Sequence, residues 1–120
     1  MRLMNETRGT CVAELAEEAR GPWRRFAGLM LQPTLPPGRA LYFAGTRCIH
    51  THFMRFALDL VFVDRDLKVV RVVRNLRPWR FSPWVRTAWG VLELPAGRLP
   101  DSRTTEGDQL CWREPDWERR

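Results

Sequence analysis

Residues 49–64 read Ile49-His-Thr-His-Phe-Met-Arg-Phe-Ala-Leu-Asp-Leu-Val-Phe-Val-Asp64, and the apolar pattern of this stretch decides the fold class. In an extended chain Leu58, Leu60 and Phe62 fall on one face, while Val61 and Val63 share the other with Asp59. A strand apolar on both faces belongs in the middle of a covered sheet rather than on a one-sided meander. The carboxylate of Asp59 stands alone in this run. A buried ionised group is strongly unfavourable without a partner, so Asp59 is expected either to meet a donor such as Arg55 or His50 or to open into a polar cleft.

Working outward, short segments rich in β-branched and aromatic residues recur between turn residues. The pattern predicts strands at Ala40–Ala44, Cys48–Met54, Leu58–Val63, Leu67–Arg74, Ala88–Leu94 and Gln109–Trp112, with a hairpin corner at Asp64-Arg65-Asp66-Leu67. Ahead of them, Pro22 suits the first turn of a helix, and Trp23, Phe26, Leu29 and Met30 follow at helical spacing. Leu15–Ala19 is also helix-compatible, cut off by Arg20-Gly21-Pro22, and Gln32–Arg39 reads as a proline-rich loop. The expected fold is mainly β (α+β): a small barrel-like, largely antiparallel sheet with one short helix near the N-terminus. Residues 1–113 form the expected single domain and 114–120 a polar tail.

The chain has 120 residues, enough for one core, and no apolar run near the ~20 residues that span a bilayer. The N-terminus turns polar before any secretory apolar region forms, so a cytoplasmic protein with no membrane partner is expected. Cys11, Cys48 and Cys111 are an odd, scattered set, which favours free thiols, although a Cys48–Cys111 bridge needs distances to settle. No phosphate-binding glycine loop, dinucleotide fingerprint or nucleophile elbow is present, and no cofactor is expected.

Net charge is +6, and its placement is informative. Lys68, Arg71, Arg74, Arg77, Arg80 and Arg86 lie between Leu67 and Leu92 with no acid among them, so this segment carries the whole excess. Arg77-Pro-Trp-Arg-Phe-Ser-Pro-Trp-Val-Arg86 interleaves arginine with aromatic rings, the ingredients of phosphate attraction and base stacking. The alternative is that Trp79 and Trp84 close one end of the core under arginine stems. Arg71, Arg74, Arg77, Trp79, Arg80 and Arg86 are therefore the candidate anion-binding rim, for an anionic partner or nucleic acid.

A second constellation surrounds the central strand. His50, Met54, Arg55, Asp59 and Glu93 are the candidate pocket residues for an unknown small ligand or partner. Asp59 and Glu93 also have the makings of an acid and base pair in a small hydrolase-like enzyme. His50 and His52 alternate on the predicted strand and offer two imidazoles to a transition metal, which would need a third ligand such as Asp59, Glu93 or Asp64. The structural alternative for each is a satisfied ion pair or a capped turn. Edge strands leave monomer and homodimer both open.

In order along the chain, Gly28-Leu29-Met30, Phe43, His50-Thr51, Phe53-Met54-Arg55-Phe56, Asp59, Phe62, Asp64, Asn75-Leu76, Pro78-Trp79-Arg80, Leu92-Glu93-Leu94-Pro95-Ala96-Gly97 and Gly107-Asp108 resemble the bacterial and archaeal family named domain of unknown function 192. The resemblance implies a compact, mainly β domain with no assigned activity. Three positions depart from the family pattern. Ala57 replaces a usual proline, so looser geometry around Asp59 is expected; Leu67 replaces a usual turn glycine, so a strained left-handed residue or a changed turn is expected; His52 replaces an aromatic. Gly107-Asp108 is also similar to the Gly-Asp turn of cradle-loop barrels.

Overall fold

The structure, a computed structural model, describes residues 1–19, 35–52 and 54–114. The predicted Pro22–Met30 helix and residues 115–120 of the predicted tail lie outside the described residues. Among the described residues eight strands form two sheets: β1 (Arg2–Asn5), β2 (Thr10–Ala13), β3 (Leu15–Glu18), β4 (Arg39–Ala44), β5 (Leu58–Val63), β6 (Val69–Leu76), β7 (Gly90–Pro95) and β8 (Leu110–Arg113). One sheet has the order β2-β1-β8 and the other β3-β4-β7-β5-β6; β3 pairs with β4 in parallel and the other pairings are antiparallel. The mainly β class holds, but the sheets do not close into a barrel.

β5 is buried along its whole length between β6 and β7, as its two apolar faces require. One face, through Val61, Val63, Leu92 and Leu94, packs with Leu3, Val12 and Leu110 of the smaller sheet and with Leu99. The other face, through Phe43, Leu58, Leu60, Phe62 and Val91, is covered by Leu35, Met54, Val85 and Ala88, side chains of the connecting loops. These loops are thus anchored by apolar side chains on one face of the larger sheet, while Arg47, Arg55, Arg77, Arg80 and Arg86 stay exposed.

The structure corrects two predicted elements. Leu15–Glu18 is a strand, not a helical turn: it pairs in register with Arg39–Tyr42, and this tertiary pairing overrides the weak β tendency of Ala-Glu-Glu. Cys48–Met54 is not a regular strand. Its partner across the gap is the segment around Phe81, whose prolines Pro78 and Pro83 lack N–H donors, and among the described residues only one bridge between them, His50 with Phe81, has strand geometry. The sequence reading also missed β1, β2 and a short helix, Arg98–Ser102. At the β5–β6 corner Leu67 has φ 64, so the turn kept its left-handed residue without the glycine.

Candidate functional site

Asp59 is 1% exposed. Its Oδ1 accepts the Asn75 N–H at 2.8 Å, and its Oδ2 accepts the N–H groups of Gly97 and Leu99, each at 3.0 Å. The last two belong to the first turn of the Arg98–Ser102 helix, whose own N-cap is Gly97, a residue with no side chain to offer. A carboxylate from β5 therefore supplies the cap that this helix lacks and pins the β6 end at Asn75, a residue with φ 55. The expected Arg55 or His50 partner is replaced by three backbone amides, and both those side chains are exposed. The geometry is firmly held despite Ala57.

Glu93 is also buried, at 4% exposure, but on the opposite side of the sheet. Asp59 stands opposite Leu94 in register, on the face of Val61, Val63 and Leu92; Glu93 stands opposite Leu60 and Leu41, on the face of Phe43 and Phe62. Alternation along β5 and β7 thus separates the two carboxylates, and the structure does not bring them together as a pair. Met54 is buried on the Glu93 side. The five pocket candidates do not converge.

What the structure does bring together lies on two loops. Residues 47–51 run alongside 77–85: Val85 N–H donates to Arg47 O (2.9 Å), Ser82 N–H to Ile49 O (2.9 Å), Thr51 N–H to Arg80 O (2.8 Å) and Trp79 N–H to Thr51 O (3.0 Å). Side chains complete the ladder. Ser82 Oγ accepts the Ile49 N–H, and the fully buried Thr51 hydroxyl accepts the Arg80 N–H at 2.9 Å while donating to Arg77 O. Trp79 is held at φ 63, a left-handed conformation that costs a large L-residue about 1–2 kcal/mol, and its side chain is turned outward.

The rings of His50, His52, Trp79 and Phe81 form a continuous group. His52 lies 5.4 Å from Trp79 and 4.9 Å from Phe81 between ring centroids, and His50 lies 5.1 Å from His52 and 6.1 Å from Phe81. Exposure is 53% for Trp79, 70% for Phe81 and 70% for Trp84, which overturns the expectation that the two tryptophans close the core. Arg77, Arg80 and Arg86 are exposed beside them, as is Arg47, whose Nε donates to Arg86 O at 3.1 Å. Arg71 and Arg74 stand apart from this ladder on β6, where Arg74 helps hold the neighbouring Glu106 carboxyl below its usual range, behind the larger effect of the Val72 amide. The sequence reading missed Arg47 and, as site residues, Phe81 and Trp84; the interleaving of arginine and aromatic residues was the available signal for the last two.

Among the described residues no third His, Cys, Asp or Glu joins His50 and His52 in a group suited to a metal ion. His50 Nδ1 instead accepts the His52 N–H at 3.3 Å. The three cysteines are free, and the Cys48 thiol donates a hydrogen bond to Ser82 O and accepts one from Ser82 Oγ.

Comparison with known proteins gives relatives that carry only family labels. A protein of Thermococcus sibiricus labelled UPF0127 is 34% identical, over 92% of this chain and 73% of its own, and a UPF0127 protein of Pyrococcus furiosus is 32% identical, over 92% and 97%. Among solved structures, a protein of unknown function from Novosphingobium aromaticivorans shares the fold with a TM-score of 0.78 at 22% identity, covering 93% of this chain and 84% of its own. A Sinorhizobium meliloti protein proposed to be a transcription regulator matches with a TM-score of 0.74 at 26% identity, over 92% and 89%. The family model described as "Uncharacterized ACR" and labelled DUF192 matches residues 3–112.

Proposed function

The chain belongs to the DUF192 family, for which no activity is described, and from that premise we propose a non-catalytic binding domain whose contact surface is the paired-loop platform of His50, His52, Trp79, Phe81 and Trp84 with Arg47, Arg77, Arg80 and Arg86. The observation that carries this reading is the exposure of three large aromatic side chains on a hydrogen-bonded, pre-formed frame. Exposed apolar groups clustered in this way mark interaction surfaces. Strain at Trp79 points the same way, since unfavourable backbone is retained where the surroundings enforce it and is common at binding sites.

Charge names the partner's sign. The loop residues 45–57 and 77–89 contain Arg47, Arg55, Arg77, Arg80 and Arg86 and no Asp or Glu. An anionic partner with flat or apolar groups fits. The likeness to the Sinorhizobium meliloti protein, proposed to be a transcription regulator, is in keeping with binding rather than catalysis. Among the described residues no helix is long and apolar enough to cross a membrane, and free thiols suit the cytoplasm, where this reading places the domain.

Salt elution from a phosphate-bearing cation exchanger tests the reading. The triple variant Arg77→Ala, Arg80→Ala, Arg86→Ala elutes at clearly lower salt than the triple variant Lys68→Ala, Arg71→Ala, Arg74→Ala, whose replaced residues are exposed on and beside β6, the net charge being equal. Equal elution of the two variants would refute a localised contact surface.

A further inference from the structure

Resting on the platform reading, we propose that the partner is single-stranded nucleic acid, with bases stacked on Trp79, Phe81 and Trp84 and phosphates met by Arg47, Arg77, Arg80 and Arg86. Rings and charges are interleaved along the chain: Arg77, Trp79, Arg80, Phe81, Trp84, Arg86. π-Faces and cations mixed in one short tract match a polymer that offers a base and a phosphate at every unit. A lipid surface asks for a different layout, with apolar groups on one side and cations on the other. An acidic peptide answers the arginines and leaves the aromatic faces without flat partners. Duplex nucleic acid hides the faces of its bases inside the stack, so exposed stacking rings favour the single strand.

The frame also suits this task. The ladder from Arg47 to Thr51 is on the order of 14 Å long, taking about 3.4 Å per extended residue, so it seats a short stretch of an unpaired strand. Thr51 is fully buried and fixes both loops through its hydroxyl and backbone, so the platform exists before the ligand arrives and little ordering is required on binding. His52 lies between Trp79 and Phe81, within 5.4 Å of each ring, and extends the stacking surface across the gap between the loops. No carboxylate occurs in either loop to repel phosphate.

The test is fluorescence anisotropy with a labelled oligothymidylate of about twelve residues, a length within the usual range of single-strand sites. With a neutralised phosphate count of about 4, affinity is expected to fall about 50-fold between roughly 50 and 200 mM salt. Tryptophan emission is expected to be quenched, and Trp79→Ala, Phe81→Ala and Trp84→Ala are each expected to lower affinity by roughly 5- to 150-fold without moving the thermal midpoint downward. Arg77→Ala with Arg80→Ala lowers the salt slope instead. The same measurement with inorganic polyphosphate of equal charge, the thymidine–adenine duplex, polyglutamate and vesicles containing phosphatidylserine separates the rivals. Polyphosphate binding as tight as oligothymidylate, with aromatic variants equal to the wild type, would overturn the nucleic-acid inference and leave the arginine surface standing. Tighter binding to vesicles, polyglutamate or duplex would also overturn it. No binding to any of the polyanions would sink both the inference and the platform reading beneath it.

Discussion

Asp59→Asn changes one oxygen to an amide and tests whether this carboxylate is a device of the fold. In the wild type Oδ2 accepts two N–H groups and Oδ1 accepts one, at 2.8–3.0 Å, with the residue 1% exposed. Asparagine keeps the most bonds by turning its oxygen toward Gly97 and Leu99. Its NH2 then faces the N–H of Asn75, donor against donor. An unpaired buried donor costs about 1–3 kcal/mol, and the two surviving bonds lose their charge assistance, a further loss of about 1 kcal/mol. The sum is about 3 kcal/mol. With a urea slope of roughly 2 kcal/mol/M, the unfolding midpoint falls by about 1.5 M, while anisotropy with the oligothymidylate at low denaturant stays at the wild-type value. Asp59→Ala leaves all three donors unpaired and falls further. A loss under about 1 kcal/mol, or weakened binding with an unmoved midpoint, would refute the structural role.

Other consequences follow from single residues. Burial pushes the Asp108 carboxyl up, but hydrogen bonds from Arg8, Asn5 and the Thr105 N–H, with the Arg8 charge, outweigh it and hold the group below its usual range. A depressed carboxylate adds stability above its unfolded value of about 4 and loses it as pH falls through the folded value. Urea midpoints should therefore drop below about pH 4 in the wild type and drop less in Asp108→Asn; parallel curves would contradict the assignment. Arg103 ends the short helix at φ 58 with its side chain exposed, so Arg103→Gly should stabilise by about 1 kcal/mol and raise the thermal midpoint by a few degrees. An added Cβ at Gly90 would lie 2.6 Å from Cε1 of the Tyr42 ring, and Gly90→Ala should cost about 1–3 kcal/mol in urea unfolding.

The strands that build the centre of the fold were legible because burial on two faces leaves a run that is apolar but for one carboxylate, Asp59 in β5 and Glu93 in β7. β1, β2 and β3 were not, because each is four residues long and mixes polar with small side chains. β1 and β3 become strands through partners far away in sequence, β8 and β4, and β2 then pairs back on β1. Asp59 stood out in the sequence as a buried charge, but its donors are backbone groups of Asn75, Gly97 and Leu99, and backbone amides leave no mark on composition. The face that Glu93 occupies follows from the register of β7 against β5, which alternation alone does not assign. The Arg77–Arg86 tract was visible as a mixture of rings and cations. Whether Trp79 and Trp84 turned inward depended on Thr51, whose buried hydroxyl joins Arg77 and Arg80 to the other loop and sets the tract on the surface.

The most direct test of the binding surface is a titration of isotope-labelled protein with the oligothymidylate, followed by amide and indole NMR shifts. Changes confined to His50–His52, Arg77–Arg86, Arg47 and the indoles of Trp79 and Trp84 are expected, with Asp59, Gly97 and Leu99 still. Changes centred on Asp59 and Gly97, or no change at the two indoles in a protein that binds, would contradict that expectation.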